Sequence, residues 1–405
     1  MSYSSLSRRP GGRLAVAAGL LAAGLTSPVL AADTPSPWRI DARYRFEHVD
    51  DDGFARTANA HTLRLRLGYL FAPTFAPGWS VYLEGEHVEA IGDGFNSTAN
   101  GRLDRPVVAD PEDSELNQAW LGYRNDRFEA RLGRQRITLD NHRFVGNVGW
   151  RQNEQTFDGG WLALTPATGW RLQYGYLASV QRVFGDTAIN PLLGEREVDS
   201  HLFDVEYAPG GRWKLGSLLL AHEDRDVPTD SHLTWALRWL DQRSLTEGVG
   251  LGWRAEYARQ WDMGNQPARF GVDYWRVGPS LTWQGITFNA GWERLDGDGR
   301  RGFQTPLATL HAFNGWADRF LATPANGLDD RFIGLAGTLG KAKWGLTWHD
   351  FDAARHNADY GSEWDASLGY PLPFGLSALV KLARYDSDGF SADVTKFWLQ
   401  LEYRR

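Results

Sequence analysis

The stretch Thr62 to Tyr69 reads Thr-Leu-Arg-Leu-Arg-Leu-Gly-Tyr, so that Leu63, Leu65, Leu67 and Tyr69 share one face and Thr62, Arg64, Arg66 and Gly68 the other. A repeat of two residues is that of a β-strand. One face is wholly apolar and the other carries two full charges, so the strand divides an oily medium from a wet one. In a soluble sandwich the oily side is the core. In a transmembrane barrel it is lipid, and the wet side is a lumen.

The rest of the chain decides between these. The same step recurs in Leu172, Tyr174, Tyr176; Leu233, Trp235, Leu237, Trp239; Leu251, Trp253, Ala255, Tyr257; and Trp364, Ala366, Leu368, Tyr370. The opposite faces hold Arg64 and Arg66, Glu84 and Glu86, Arg127, Glu129 and Arg131, Asp204 and Glu206, Arg254 and Glu256. A dry core cannot take such a face, because an unpaired buried charge costs several kcal/mol. A water-filled lumen can. Trp and Tyr gather at strand ends, where amphipathic rings meet lipid headgroups. Composition agrees: 19 Trp, 20 Phe, 14 Tyr and 45 Gly lie in a chain that is 23% charged.

Alternation predicts 18 strands, near 38–48, 60–71, 79–91, 115–124, 127–137, 158–165, 169–180, 200–208, 212–223, 232–242, 249–261, 270–283, 286–296, 330–339, 342–352, 361–370, 374–385 and 393–403. Short turns such as Asn125-Asp126, Gln284-Gly285 and Gly340-Lys341 alternate with long loops at about 92–114, 138–157, 181–199 and 297–329. The expected fold is all-β, a transmembrane antiparallel up-and-down β-barrel of about 18 strands with short periplasmic turns and longer extracellular loops. The last strand, with Phe397, Leu399, Leu401 and Tyr403, is the segment that barrel assembly machinery is expected to read, although the chain ends in Arg404-Arg405 and not in an aromatic residue.

Residues 1–31 are expected to be a signal peptide and 32–405 the barrel. Arg8, Arg9 and Arg13 precede an apolar run from Leu14 to Leu25 and a small-residue end at Ala31. That run is too short to span about 30 Å of hydrocarbon. Losing its three arginines and no acids takes the net charge from −7 to −10, which argues against nucleic acid as a partner. The chain contains no cysteine, hence no disulfide and no thiolate metal site. Asp50-Asp51-Asp52-Gly53 reads as a solvated loop, and His142, His349 and His356 as isolated surface or rim residues.

The densest charged segment runs from Arg131 to Asp158. Phe128, Ala130 and Leu132 face lipid, so Arg134 and Arg136 would too unless a bulge at Gly133 flips the register or the strand has already left the hydrocarbon. The bulge is the expectation, with both arginines turned to the lumen. The following loop is long and polar enough to fold inward and narrow the pore. Arginines with a few interspersed carboxylates attract anions and hold them loosely enough for release. The alternative for each arginine is a wall pair with an acid. No cofactor is expected, and no catalysis: Gly-x-Ser-x-Gly, His-Glu-x-x-His and a phosphate-cradling loop are all missing, and His87 has no serine on its own face of its strand.

Leu132-Gly133-Arg134-Gln135, Asp140, Arg143, Gly146 and Trp150-Arg151-Gln152, with Thr62-Leu63-Arg64, Asn314-Gly315-Trp316-Ala317-Asp318 and Gly327-Leu328-Asp329-Asp330, resemble the alginate export porin family of Gram-negative outer membranes. The resemblance implies an 18-stranded monomeric barrel with an arginine-lined constriction passing a polyuronate. The lining role would fall to Arg64, Arg66, Arg131, Arg134, Arg136, Arg143 and Arg151, with Asp140 and Asp158 as opposing carboxylates. The chain is shorter and its loops briefer than expected of a dedicated alginate exporter. The partners implied are an anionic polysaccharide or oligosaccharide, outer-membrane lipid and lipopolysaccharide, the assembly machinery and periplasmic export proteins. Uptake of small acidic sugars or other anions is the alternative function, and a plugged structural or adhesive barrel the alternative of another class.

Overall fold

The computed structural model describes residues 36–405; the expected signal peptide lies outside them. Eighteen strands form one sheet: β1 (Trp38–Asp51), β2 (Ala58–Phe71), β3 (Trp79–Ala90), β4 (Asp113–Arg124), β5 (Phe128–Gln135), β6 (Thr156–Leu164), β7 (Trp170–Gln181), β8 (Glu195–Tyr207), β9 (Trp213–Asp224), β10 (His232–Thr246), β11 (Val249–Trp261), β12 (Gly271–Trp283), β13 (Ile286–Leu295), β14 (Leu328–Leu339), β15 (Ala342–Asp352), β16 (Asp359–Pro371), β17 (Leu376–Asp386) and β18 (Val394–Arg404). Each pairs antiparallel with its sequence neighbours. The sheet closes where β1 also pairs β18, from Asp41 opposite Arg404 to Asp51 opposite Val394. Closure leaves no unpaired edge, as a hydrocarbon surround requires.

The repeating stretch settles which face is which. Leu63, Leu65 and Leu67 are 44, 50 and 49% exposed, whereas Arg64 and Arg66 are 0 and 4% exposed. Oil-facing side chains on the outside and charges within invert the pattern of a soluble protein. Ring pairs such as Trp38–Tyr69, Trp79–Tyr123 and Trp170–Tyr207 mark the short-turn end. There Gln284 and Gly285 both take positive φ, 47° and 85°, as a two-residue hairpin turn demands.

The bore is not simply wet. Two loops fold into it from the other end, 136–155 between β5 and β6 and 296–327 between β13 and β14. Their Ile137, Leu139, Phe144, Val145, Leu307, Trp316 and Phe320 join wall residues Leu177, Leu218, Leu220, Tyr274, Phe351 and Trp398 in one apolar cluster. Inward wall positions that meet the loops are thus of two kinds, apolar ones such as Leu218 and Phe351 and charged ones such as Arg43 and Glu363. An 18-stranded bore is too wide for wall side chains alone to fill; here the loops supply the remainder.

Three expectations need correction. β8 starts at Glu195, so the expected 181–199 loop is shorter. Asp51 is buried and pairs with Arg319 of the second infolded loop at 2.9 Å, so the acidic stretch is not merely solvated. His349 is also buried, its Nδ1 2.8 Å from Asp330 Oδ1 inside the bore. Of the other two histidines, His142 sits half-buried in the first infolded loop and His356 on an exposed one.

Candidate functional site

The site is a column of arginines on β1 and β2 facing the 136–155 loop. Inward parity places Arg43, Arg45, Arg64 and Arg66 side by side, with Arg43 opposite Arg64 in the register. Four adjacent guanidinium groups repel one another, so each needs a share of negative partial charge. The loop provides it through its backbone. Arg43 Nη1 donates to the carbonyls of Gly149, Trp150 and Arg151 at 3.1, 3.2 and 3.2 Å. Arg45 donates to the Trp150 carbonyl, and Arg64 and Arg66 to that of Gln152, at 3.4 and 3.0 Å. Wall acids complete the set: Glu402 lies 2.7 Å from Arg43, Asp41 2.6 Å from Arg64, and Glu86 pairs with Arg66.

Trp150 is the loop's anchor. Its ring lies 4.1 Å under the Arg45 guanidinium, 4.0 Å from Lys381 Nζ, and stacks on His311 of the second loop at 4.6 Å and 8°. Arg151 reaches Glu47 at 3.0 Å and Asp318 at 3.5 Å, so it ties wall, first loop and second loop together. The loops also meet directly, through Gly146 N–H to the Leu307 carbonyl at 2.9 Å. A Cβ on Gly146 would stand 2.3 Å from Thr309 Oγ1, so only glycine permits that approach.

The second loop docks on an acidic wall. Backbone N–H groups of Trp316 and Ala317 donate to Asp365 and Glu363 at 3.2 and 2.7 Å, and Asn314 Nδ2 donates to Glu293 and Asp330, each at 3.0 Å. Asp318 pairs with Lys396 at 2.8 Å. His311 Nδ1 faces Asp318 at 2.7 Å while its Nε2 accepts from Lys381 at 2.8 Å. Burial, with Lys381 beside it, holds the His311 pKa down at about 3 against the pull of Asp318. Asp318 is held well below the usual carboxylate range: burial opposes this, but His311, Lys396 and Arg151 outweigh it.

Of the sequence-predicted residues, the structure brings Arg64, Arg66, Arg136, Arg143, Arg151 and Asp140 into the bore. Arg136 pairs with Glu154, Nε to Oε2 at 2.7 Å. Although burial raises the Glu154 pKa, Arg136 and Arg66 drive it below its ordinary value. Arg143 crosses to Glu293 at 3.1 Å on β13. Asp140, at φ 46°, lies against Arg254 and 2.9 Å from Lys214 on the far wall. Arg131 faces inward over the Trp120 ring and pairs with Glu129 at 2.5 Å, well away from the column.

Arg134 and Asp158 are corrections. β5 runs past Gly133 without a register shift, so Arg134 keeps the outward parity of Leu132. It forks onto Asp158 at 2.8 and 2.9 Å at the loop end of the wall and donates to the carbonyl of outward-facing Leu116. The shift falls instead between Asp158 and Gly159, where a Cβ on Gly159 would stand 1.9 Å from the Tyr176 carbonyl. Charge is tolerated on the outer face there because the strand is leaving the hydrocarbon, the other escape that its parity allowed. The side chains that sequence reasoning missed are Arg43 and Arg45 of the column itself, and Asp110, Glu293, Asp330, Glu363, Asp365 and Lys381. For those on strands the signal was inward parity; Asp110 lies in the loop between β3 and β4, where alternation gives none.

On the outer wall, the serine missing from His87's own strand is supplied by the next. Ser114 Oγ lies 2.7 Å from His87 Nδ1 and Glu89 Oε2 3.3 Å from Nε2.

A closed 18-stranded barrel, apolar outside, charged within and narrowed by infolded loops, is an outer-membrane barrel of the porin type. The chain belongs to the alginate export family, whose profile matches residues 37–293. Among curated proteins none matches it. Solved structures share the fold: Pseudomonas aeruginosa OccK9 (OpdG), 17% identical over 91% of this chain and 97% of that one, with a TM-score of 0.73. Pseudomonas aeruginosa OpdK, crystallised with vanillate, is 15% identical over 91% and 98%, with a TM-score of 0.72. Acinetobacter baumannii OccAB2 is 16% identical over 91% and 98%, with a TM-score of 0.71.

Proposed function

We propose that this protein is a passive, anion-selective channel through which an acidic polysaccharide of the polyuronate type leaves the cell. The observation that carries the reading is the arginine column: Arg43, Arg45, Arg64, Arg66 and Arg151 stand together in the bore of a chain that belongs to the alginate export family. Guanidinium groups bind carboxylates bidentately, and the neighbouring acids keep the affinity low enough for passage. On this reading the partners are the polymer, the lipid around the wall and periplasmic export proteins, with no cofactor and no catalytic step.

A second reading, passage of small acidic sugars or other organic anions, is favoured by the infolding of both loops, which narrows the bore while they stay docked. Reversal potentials in planar bilayers under a salt gradient test the shared claim. Anion preference supports both readings, and cation preference or the absence of current overturns both. Block by polyuronate but not by neutral glycan favours the polymer; block by monomeric uronate alone favours the second reading.

A further inference from the structure

The short-turn mouth of the barrel carries positive charge that nothing answers. Arg39, Arg124, Arg127, Arg171, Lys341 and Lys343 are exposed there, at the start of β1, around the β4–β5 turn, at the start of β7 and around the β14–β15 turn. Among the described residues none of the six forms an ion pair: Arg39 donates only to the Ser36 and Trp38 carbonyls, and Arg171 only to the Gln173 amide oxygen. The acids nearest in sequence or register are already taken. Glu129, opposite Arg124, pairs with Arg131 at 2.5 Å; Glu206, opposite Arg171, pairs with Lys214 at 2.9 Å; and Asp41 pairs with Arg64 at 2.6 Å and Arg404 at 3.2 Å.

These bases belong to the opening and not to the lipid. Arg39 lies opposite Gly68, Arg171 opposite Glu206 and Lys343 opposite Thr338, all positions of the inward set, whereas their neighbours Trp38, Trp170 and Trp344 have outward parity. A lipid headgroup beside the wall therefore meets tryptophan first. The chain is acidic overall, at −7, so the collar is a local reversal of sign, and exposed acids such as Asp52, Asp186, Asp226 and Asp388 mark the long-loop end. Like charges around an opening focus a field on it and draw in anions. Arg43 of the column lies four positions beyond Arg39 on β1, about 13 Å at the rise of a strand, so a chain with repeated carboxylates can touch collar and column together.

We propose that this collar is a docking site where a carboxylated polymer is captured from the periplasm before it enters the bore, so that charge at the mouth sets the side of entry. The proposal rests on the reading that an anionic chain uses the bore, but its residues are not those of the column. Arg171 on β7 and Lys343 on β15 stand on nearly opposite sides of the closed sheet. No single carboxylate bridges them, whereas a chain that presents many can engage several bases at once. Because the bases are exposed, capture acts on the rate of association and fades as salt screens it.

Single-channel block by oligogalacturonate, added to one chamber of a planar bilayer at a time, is the test. Asp388→Cys, labelled in a chain that has no other cysteine, reports which end of each barrel faces which chamber. At low salt the oligomer should associate about tenfold faster or more from the short-turn side than from the long-loop side, and high salt should erase the difference. Arg124→Gln, Arg171→Gln and Lys343→Gln together lower the short-turn rate about tenfold and leave the long-loop rate as it was. Arg225→Gln, Arg331→Gln and Arg384→Gln, which remove the same charge from exposed sites at the long-loop end, leave the short-turn rate unchanged. Equal rates from the two sides, no block from either, or an unchanged short-turn rate in the collar variant refutes the collar as a polymer dock, even if the channel prefers anions; the last result would assign it to an acidic protein partner. Collar-dependent capture beside a cation-selective channel upholds the dock and refutes the proposed function. Heat-modifiable migration on gels confirms that each variant is folded.

Discussion

Removing the Trp150 ring tests whether the 136–155 loop is held in the bore by the contacts described. Trp150→Ala deletes two cation–π contacts, from Arg45 at 4.1 Å and Lys381 at 4.0 Å, each worth about 1 kcal/mol where desolvated. It also deletes the stack on His311 and the edge contact with Trp398 at 5.8 Å, each about 1 kcal/mol. The sum, about 4 kcal/mol, falls within the roughly 3–5 kcal/mol typical of Trp→Ala in a packed interior. At about 1.4 kcal/mol per tenfold, docking weakens by a factor on the order of a thousand. The strand ladder contains none of these contacts, so the barrel itself keeps its stability. Single-channel recording should show larger or flickering conductance, and limited proteolysis should cut within 136–155 where the wild type resists. Trp150→Phe, which retains a ring, recovers most of the docking. Unchanged conductance together with unchanged protease resistance in Trp150→Ala would refute the idea that this ring pins the loop.

Three further outcomes follow from the geometry. Arg151→Ala, which breaks the tie between Glu47 and Asp318, lowers anion preference in reversal-potential measurements, whereas Arg134→Ala, on the outer wall, leaves it unaltered; a shift in the latter would place Arg134 in the bore. His311 has a folded pKa near 3 against an ordinary value near 6.5, so its contribution to docking of the 296–327 loop is complete above about pH 6.5 and lost as pH falls toward 3. Proteolysis of that loop should accelerate between pH 7 and pH 4, and His311→Gln should flatten the profile. Leu65→Arg sets a charge against the bilayer and lowers barrel stability by about 2–4 kcal/mol near the midplane, measured by urea unfolding in vesicles, while Leu65→Met has little effect.

The wall was legible because lipid imposes parity on one residue at a time. Leu65 and Arg66 cannot exchange faces without cost, and that constraint is local enough to read from eight residues. Strand ends followed from turn chemistry such as Gln284-Gly285. The register near Gly133 was not legible, because a glycine signals close backbone approach without saying in which strand the extra residue sits. Gly133 takes φ 124° yet shifts nothing, and the slip is at Gly159, one strand over. Pairings such as Asp140 with Arg254, 114 positions apart, are set by the loop's path through the bore, on which alternation is silent. A signal for the second loop did exist. Phe303, Leu307, Leu310, Phe313, Trp316 and Phe320 recur every three or four residues in a segment taken as extracellular, and so much apolar surface is not left in water.

The position of that loop links two properties that sequence reasoning treats separately. In the docked state the column's positive charge is spent on the carbonyls of Gly149 to Gln152 and on the acids around them, so it presents little to a passing anion. A solute carboxylate gains those guanidinium groups only as the carbonyls leave. Its binding energy then offsets the loss of docking, and an anion can open the path it takes, whereas a neutral sugar of the same size has nothing to offer in exchange. Selectivity and gating thus fall to the same side chains. A substitution that merely loosens the loop, such as Trp150→Ala, should therefore raise conductance for anions and also narrow the advantage that anions hold over neutral solutes.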